Sequence, residues 1–295
     1  MGFGGVVIAA LINGVLTGGV YSLTAVGLTL IWGVMGISNF AHGSFLMVGM
    51  YITYWGTTLL GIDPYIGCLI SMAVMFVVGW LVQKYLVERM MDLPHYNQML
   101  LFLGLSIVIE NSALFFWPDY KQLQVSYQFN LIPFGNFTSL ELVRVIAFAI
   151  AVSLTTGVYL FLKFTSLGKS IRATSQNVFA AKVVGINIKK INCVTFAIGI
   201  ACAAGAGAVI TPFFPTYYSV GSLFLLTGYV VTCLGGMGNL AGAMVGGLII
   251  GVAESLGTII LPGGQKQLLT YGIFLLLLVF KPKGLFKFAG YWQSH

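Results

Sequence analysis

Nearly unbroken apolar runs, separated by short polar interruptions, fill the chain. They cover residues 6–32, 44–60, 65–83, 99–117, 142–162, 193–210, 222–234, 241–261 and 268–280. A run of about 20 apolar residues is the length that crosses a lipid hydrocarbon core as a helix. The pattern therefore predicts an all-α polytopic membrane protein of one domain, 1–295, with eight to ten membrane segments. The runs 44–60 and 222–234 are short enough to be re-entrant. The first run carries Gly14, Thr17, Gly18, Gly19, Thr24 and Gly27. Small residues let helices approach closely in lipid, so this is expected to be a packed helix. No basic stretch precedes it, so it reads as a membrane helix rather than a cleavable signal.

Two of the interruptions echo each other. The first comprises Gly33, Val34, Met35, Gly36, Ile37, Ser38, Asn39, Phe40, Ala41, His42 and Gly43; the second comprises Gly235, Gly236, Met237, Gly238, Asn239, Leu240 and Ala241. Both read G-x-M-G, then N-[F/L]-A, then glycine and an apolar helix. Paired glycine-interrupted segments in two halves point to a transporter built from repeats, with its pathway between them. Asn39, Phe40, His42, Gly43, Gly235, Gly236 and Gly238 are thus candidates for the pathway or its gate. The bland alternative makes Asn39 a cap of the next helix. It makes His42 a neutral imidazole bonded to a carbonyl freed where the helix breaks.

The longest polar stretch, 163–190, holds Lys163, Lys169, Arg172, Lys182, Lys189 and Lys190 and no acid. No Asp, Glu, Lys or Arg occurs in 145–162 or 191–253. A basic segment between uncharged apolar blocks marks a cytoplasmic loop. Within it, Asn177 stands at a helix N-cap position, Lys182 in the last turn and Gly185 just beyond, which predicts a short helix. A structured element facing the cytoplasm is a candidate docking site. The charged stretch 84–98 is expected on the same side, and the polar, aromatic stretch 119–141, with its glycosylation-type Asn136 and Thr138, on the other. So is the turn 211–221. Lys281, Lys283 and Lys287 place the C-terminal tail in the cytoplasm.

Composition narrows the class further. Only 7 % of residues are charged, against about 25 % in a soluble domain, while 58 % are hydrophobic. Such a chain needs a lipid bilayer as its solvent. The net charge of +7 sits mainly in the loop and the tail, so it is a topology signal and not a nucleic-acid surface. Cys68, Cys193, Cys202 and Cys233 lie inside apolar runs without CxxC spacing and read as small core hydrophobes. No metal site is expected. The absence of G-x-x-x-x-G-K-[ST], HExxH and G-x-S-x-G leaves no motif for ATP binding or catalysis in this chain.

Glu110 stands mid-run, followed by Asn111 and Ser112, which could help satisfy it. A carboxylate in a membrane helix costs roughly 2.5–3.5 kcal/mol on insertion scales, so it should face the bundle interior with a partner, either protonated and hydrogen-bonded or charged in a wet cavity, and Glu110 joins the candidates for the pathway or its gate. Glu254, nearer a membrane edge, reads as either a helix-packing hydrogen bond or a wet-cavity charge.

An ordered set of motifs carries a family resemblance: Ser38 to Gly43, the loop residues Leu167 to Ala173 and Ala180 to Ile186, Leu234 to Ala243, and the ending Pro282 to Phe286. Together they resemble the permease subunit of branched-chain amino-acid ABC importers, the H-type of two paralogous permeases. The resemblance implies a type II importer fold. It implies a complex with a second paralogous permease, two cytoplasmic P-loop ATPases that hold ATP and Mg, and a periplasmic solute-binding protein, in a bacterial inner membrane. It also implies that the 163–190 segment is a coupling loop. Asn177, Phe179, Ala180, Ala181 and Gly185 would enter a groove of the ATPase, with Gly168 and Arg172 in support. Glu110 stands where relatives carry a neutral amide, which keeps urea or short amides open as substrates. A rival reading is an ion-coupled secondary transporter that relays charge through Glu110, Glu254 and His42; an integral-membrane enzyme is a remoter one.

Overall fold

A computed structural model of the chain describes residues 3–125, 127, 131–134, 138–260, 265–281 and 284–286. The sequon at Asn136 and the lysines at 283 and 287 lie outside the described residues. Eleven α-helices and one short hairpin make up the described fold: α1 (Phe3–Met35), α2 (His42–Leu60), α3 (Pro64–Tyr85), α4 (His95–Phe116), β1 (Leu131–Phe134), β2 (Thr138–Glu141), α5 (Leu142–Phe164), α6 (Ser166–Gln176), α7 (Val178–Val183), α8 (Ile188–Ile210), α9 (Val220–Gly235), α10 (Leu240–Ile260) and α11 (Lys266–Phe280). Among the described residues, α1, α3, α4, α5, α8 and α10 are long and apolar enough to cross a membrane. The apolar helices α9 and α11 are shorter. With α2, which opens on His42 and carries several hydroxyls, nine apolar helices match the expected eight to ten.

The bundle has two distinct ends. One carries the basic helices α6 and α7; the other carries the hairpin, from which Glu141 leads directly into α5. A bridge between Lys121 and Thr216 ties the turn after α8 to the segment after α4 at this hairpin end. There too, Tyr127 donates to Asp63 Oδ2 at 2.7 Å. Burial, reinforced by that carboxylate, pushes the phenol pKa well up.

Helix α8 forms the core, buried along nearly its whole length. Around it, α1 and α10 run antiparallel with two G-x-x-x-G patterns facing each other. A Cβ on Gly14 would stand 2.6 Å from Val252 Cα, and one on Gly251 would stand 2.5 Å from Gly18 Cα. Backbones this close gain dispersion and polar contacts in place of the absent hydrophobic drive. Ser22 Oγ donates to Met244 O at 2.8 Å, and Ser255 Oγ donates to Ala10 O at 2.7 Å.

Three sequence expectations change. Helix α1 continues through Gly33 to Met35, and α2 begins at His42, so the first interruption shrinks to 36–41. Gly33 and Gly43 serve close approach rather than chain breaking. A Cβ on Gly33 would stand 2.9 Å from Gly238 Cα, and one on Gly43 would collide with the Gly221 carbonyl oxygen. The 163–190 segment holds a second helix, α6, whose N-cap Thr165 accepts from Gly168 N at 3.0 Å. The 119–141 stretch, read from the sequence only as polar and aromatic, contains the β1–β2 hairpin. All four cysteines are buried and free, as expected.

Candidate functional site

The two interruptions use the same residue types, glycine at positive φ followed by an asparagine bonded to the backbone. In the first, α1 ends, Gly36 takes φ +68°, and Asn39 Oδ1 accepts from Ala41 N at 3.0 Å ahead of α2. In the second, α9 ends, Gly236 and Gly238 take φ +91° and +90°, and Asn239 Oδ1 accepts from Gly242 N at 3.0 Å ahead of α10. Positive φ is what glycine alone adopts without strain. Asn239 caps α10 through the N–H of Gly242, whereas Asn39 closes a turn on Ala41, the residue before α2, and α2 itself has no side-chain cap. Gly33, near the end of α1, lies against Gly238, so the second interruption packs on the last turn of α1.

Their surroundings differ. Ile37, Asn39, Ala41 and His42 are all buried, with Phe40 half-buried against Tyr229. His42 Nε2 pairs with Thr24 O at 3.1 Å. This carbonyl lies inside α1, not at the break where the sequence reading sought it. Gly27 makes the approach feasible, because a Cβ there would stand 2.8 Å from His42 Cε1. Asn39 Nδ2 and His42 Nδ1 are buried with no hydrogen-bond partner among the described residues. In the second interruption, Gly235 and Gly236 are buried, whereas residues 237–240 are half-exposed. Gly238 and Asn239 border a cavity of about 290 Å³ shared with Gly33, Lys163, Arg172 and Ser175. That cavity joins the second interruption to α6. Arg172 Nη2 donates to Lys163 O at 3.4 Å, across the α5–α6 corner.

Glu110 is satisfied from a direction the sequence did not suggest. Ser44 Oγ and Ser106 Oγ donate to its Oε1 at 3.1 and 3.2 Å. The neighbours expected to help instead bond their own helix: Asn111 Nδ2 donates to Ile107 O, and Ser112 Oγ to Val108 O. On a helix, adjacent residues point apart, whereas Ser106 lies one turn away on the same face. Glu254 accepts from Tyr21 OH at 2.8 Å, a packing bond between α10 and α1.

In α7, Asn177 Oδ1 accepts from Ala180 N at 2.9 Å and Gly185 takes φ +85°. Phe179, Val183 and Val184 are 74 %, 72 % and 74 % exposed, so the helix presents an apolar knob away from the bundle. Ala180 is exposed beside it, while Ala181 is buried and anchors the inner face. Gly168 is buried too: a Cβ there would stand 2.5 Å from Leu162 Cα, so α6 packs hard on α5.

A larger cavity, about 470 Å³, lies at the hairpin end and was not foreseen. Its polar lining is Thr17, Tyr21, Arg144, Thr227, Glu254 and Gln267, and Phe213, Phe214 and Phe224 are among its apolar residues. Arg144 Nε donates to Glu141 Oε2 at 2.7 Å, and its guanidinium lies 5.5 Å from the Phe213 ring centroid. The one local signal was the Glu141–Arg144 spacing at the head of an apolar run.

The family model described as "Branched-chain amino acid transport system / permease component" matches residues 10–280. The high-affinity branched-chain amino acid transport system permease protein BraD of Pseudomonas aeruginosa is 30 % identical over 93 % of this chain and 94 % of its own length. LivH of Escherichia coli, which bears the same description, is 26 % identical over 92 % and 93 %. A probable branched-chain amino acid transport permease protein, LivH of Methanocaldococcus jannaschii, is 28 % identical over 87 % and 83 %. No solved structure matches the chain.

Proposed function

The chain belongs to the family of branched-chain amino acid transport system permease components, and from that premise we propose that it carries an apolar amino acid inward as one permease of an ATP-driven importer. It is a multi-pass integral membrane protein of a transport system. In our reading, a second, paralogous permease completes the pathway and two P-loop ATPases bind ATP and Mg on the cytoplasmic side. A solute-binding protein would deliver cargo across the periplasm of a bacterial inner membrane. The end bearing α6 and α7 is then cytoplasmic, as is the C-terminus, and the chain itself catalyses nothing.

The observation that carries this reading is α7. A six-residue helix with a side-chain cap and an exposed apolar face has no reason to be built unless something covers it. Docked in an ATPase groove, it would pass nucleotide-driven motion to α6 and so to the cavity beside Gly238 and Asn239. The two interruptions would open and close the path. Ala180→Glu puts a charge on this face, and the expected outcome is loss of substrate-stimulated ATP hydrolysis with the permease still folded; intact coupling would sink the docking assignment. The ion-relay alternative fits less well. Glu110 accepts from Ser44 and Ser106, Glu254 accepts from Tyr21 and His42 pairs with Thr24 O, and these bonds have no residue in common.

A further inference from the structure

We propose that the cavity shared by α1, α5, α6 and the start of α10 binds a phosphate ester, the headgroup of an anionic phospholipid, with Lys163 and Arg172 meeting its charge. The site needs only a membrane around the chain, so it does not rest on the transport reading above.

The lining carries two cations, Lys163 and Arg172, and no acidic residue. Among the described residues neither cation makes an ion pair. Arg172 Nη2 donates to Lys163 O at 3.4 Å, which holds the two like charges at one corner. A guanidinium carries five N–H donors, and this bond engages one of its nitrogens. Lys163 Nζ stands 5.9 Å from the ring centroid of Tyr159, which itself lines the cavity, and 5.3 Å from that of Phe164. Like charges gathered in this way repel, and an anion beside both relieves the repulsion.

The start of α10 adds to the same field. Gly238, Asn239, Leu240 and Ala241 border the cavity, and Asn239 Oδ1 accepts from Gly242 N. Leu240 and Ala241 precede Gly242, in the stretch where a helix leaves N–H groups without intrahelical partners and carries partial positive charge.

The charge of the lining selects the ligand. A zwitterionic amino acid would bring its ammonium group to two cations and no carboxylate, whereas a phosphate ester brings negative charge alone. The apolar lining selects its source. Leu30, Val34, Leu162 and Ile171 would strip water from a free phosphate, a cost that a lipid offsets with its own apolar chains. The volume, about 290 Å³, has room for a phosphate and its glycerol. Acyl chains would continue along α5, which exposes Val152, Tyr159 and Leu160. Phe164 and Leu167 are exposed at the α5–α6 corner, and aromatic and basic side chains gather in this way at the membrane–water interface. A basic pocket between membrane helices is the general form of an anionic headgroup site.

The test uses the full-length protein purified in mild detergent with whatever accompanies it, and native mass spectrometry to count bound lipid. Phosphatidylglycerol and phosphatidylcholine with identical acyl chains compete as probes. The wild type is expected to retain phosphatidylglycerol in preference. The double variant Lys163→Gln, Arg172→Gln should lose that preference by roughly 30-fold, from two cations each at the strength of a basic residue near an anionic surface. A merely structural role would weaken both lipids together and leave the preference unchanged, which overturns the site. Since the variant could fail to fold, the wild type in phosphatidylcholine nanodiscs is also labelled with a phosphatidylglycerol bearing a diazirine on its headgroup. Cross-links in residues 159–175 or 238–241 are expected; cross-links confined to other segments, or none, overturn the site. Inorganic phosphate separates the two sources of the anion. A headgroup anchored by its acyl chains should stay bound in excess phosphate. Displacement by phosphate would mark a site for the free anion and overturn the lipid assignment.

Discussion

The two helix interruptions are near-copies in sequence, each with glycine at positive φ and an asparagine bonded to the backbone after it, yet the fold encloses one and leaves the other at an edge. Around Asn39 the neighbours are α1, α8 and α9, and glycines 27 and 43 let them close to backbone contact. Around Asn239 the chain is half-exposed and faces a cavity below α6. The same glycine-and-asparagine device can therefore hold a helix start in a packed core or leave one free to shift. What surrounds the break decides which.

The strongest way to test that contrast is Gly43→Val. Its side chain would meet the Gly221 carbonyl, and overpacking against backbone is expected to cost about 3 kcal/mol. Thermal unfolding in detergent should show a clear drop, or no folded permease at all. An unchanged melting temperature would mean the first interruption is not a packed brace.

Next in size is the pair Asn39→Ala and Asn239→Ala. Asn239→Ala removes a helix cap and Asn39→Ala a side-chain bond to the turn ahead of α2, each worth about 1 kcal/mol. Asn39 is fully buried, so its loss should reach about 2 kcal/mol, while the half-exposed Asn239 should lose less than 1 kcal/mol because water replaces the amide. Equal losses would erase the distinction. The smallest effect expected is kinetic. Cysteines placed at Ser175 and Asn239, which border one cavity, should cross-link at a rate that changes when ATP is trapped on the importer. A cysteine pair at Thr24 and His42 should be indifferent to nucleotide. If both pairs respond alike, the second interruption is no more mobile than the first.

Much of this was legible locally. The runs of apolar residues announced nine helices. Asn177 and Gly185 announced α7, because a cap and a positive-φ stop act within one turn. Helix α6 was not legible: SLGKSIRATSQ has no apolar run, and its inward face comes from Gly168, Ile171, Thr174 and Ser175 spaced around a polar segment. One partner of Glu110 was hidden as well, since Ser44 lies 66 residues away; the other, Ser106, stands one turn earlier on the same helix. The hairpin-end cavity was the least legible part. Tyr21, Arg144, Phe213 and Glu254 come from four distant stretches, and only the tertiary fold brings them to one cavity.

The paired G-x-x-x-G seam has a consequence for the birth of the protein. The bonds that close it, Ser22 to Met244 and Ser255 to Ala10, join residues 222 and 245 positions apart. At ~5–20 residues per second, α1 waits about 10–50 s in the bilayer before α10 is made. For that interval its small-residue groove is an adhesive face without its mate, open to membrane chaperones or to another nascent copy. A ribosome that stalls before residue 240 leaves the groove open for good, and that is the surface by which quality control would recognise the unfinished chain.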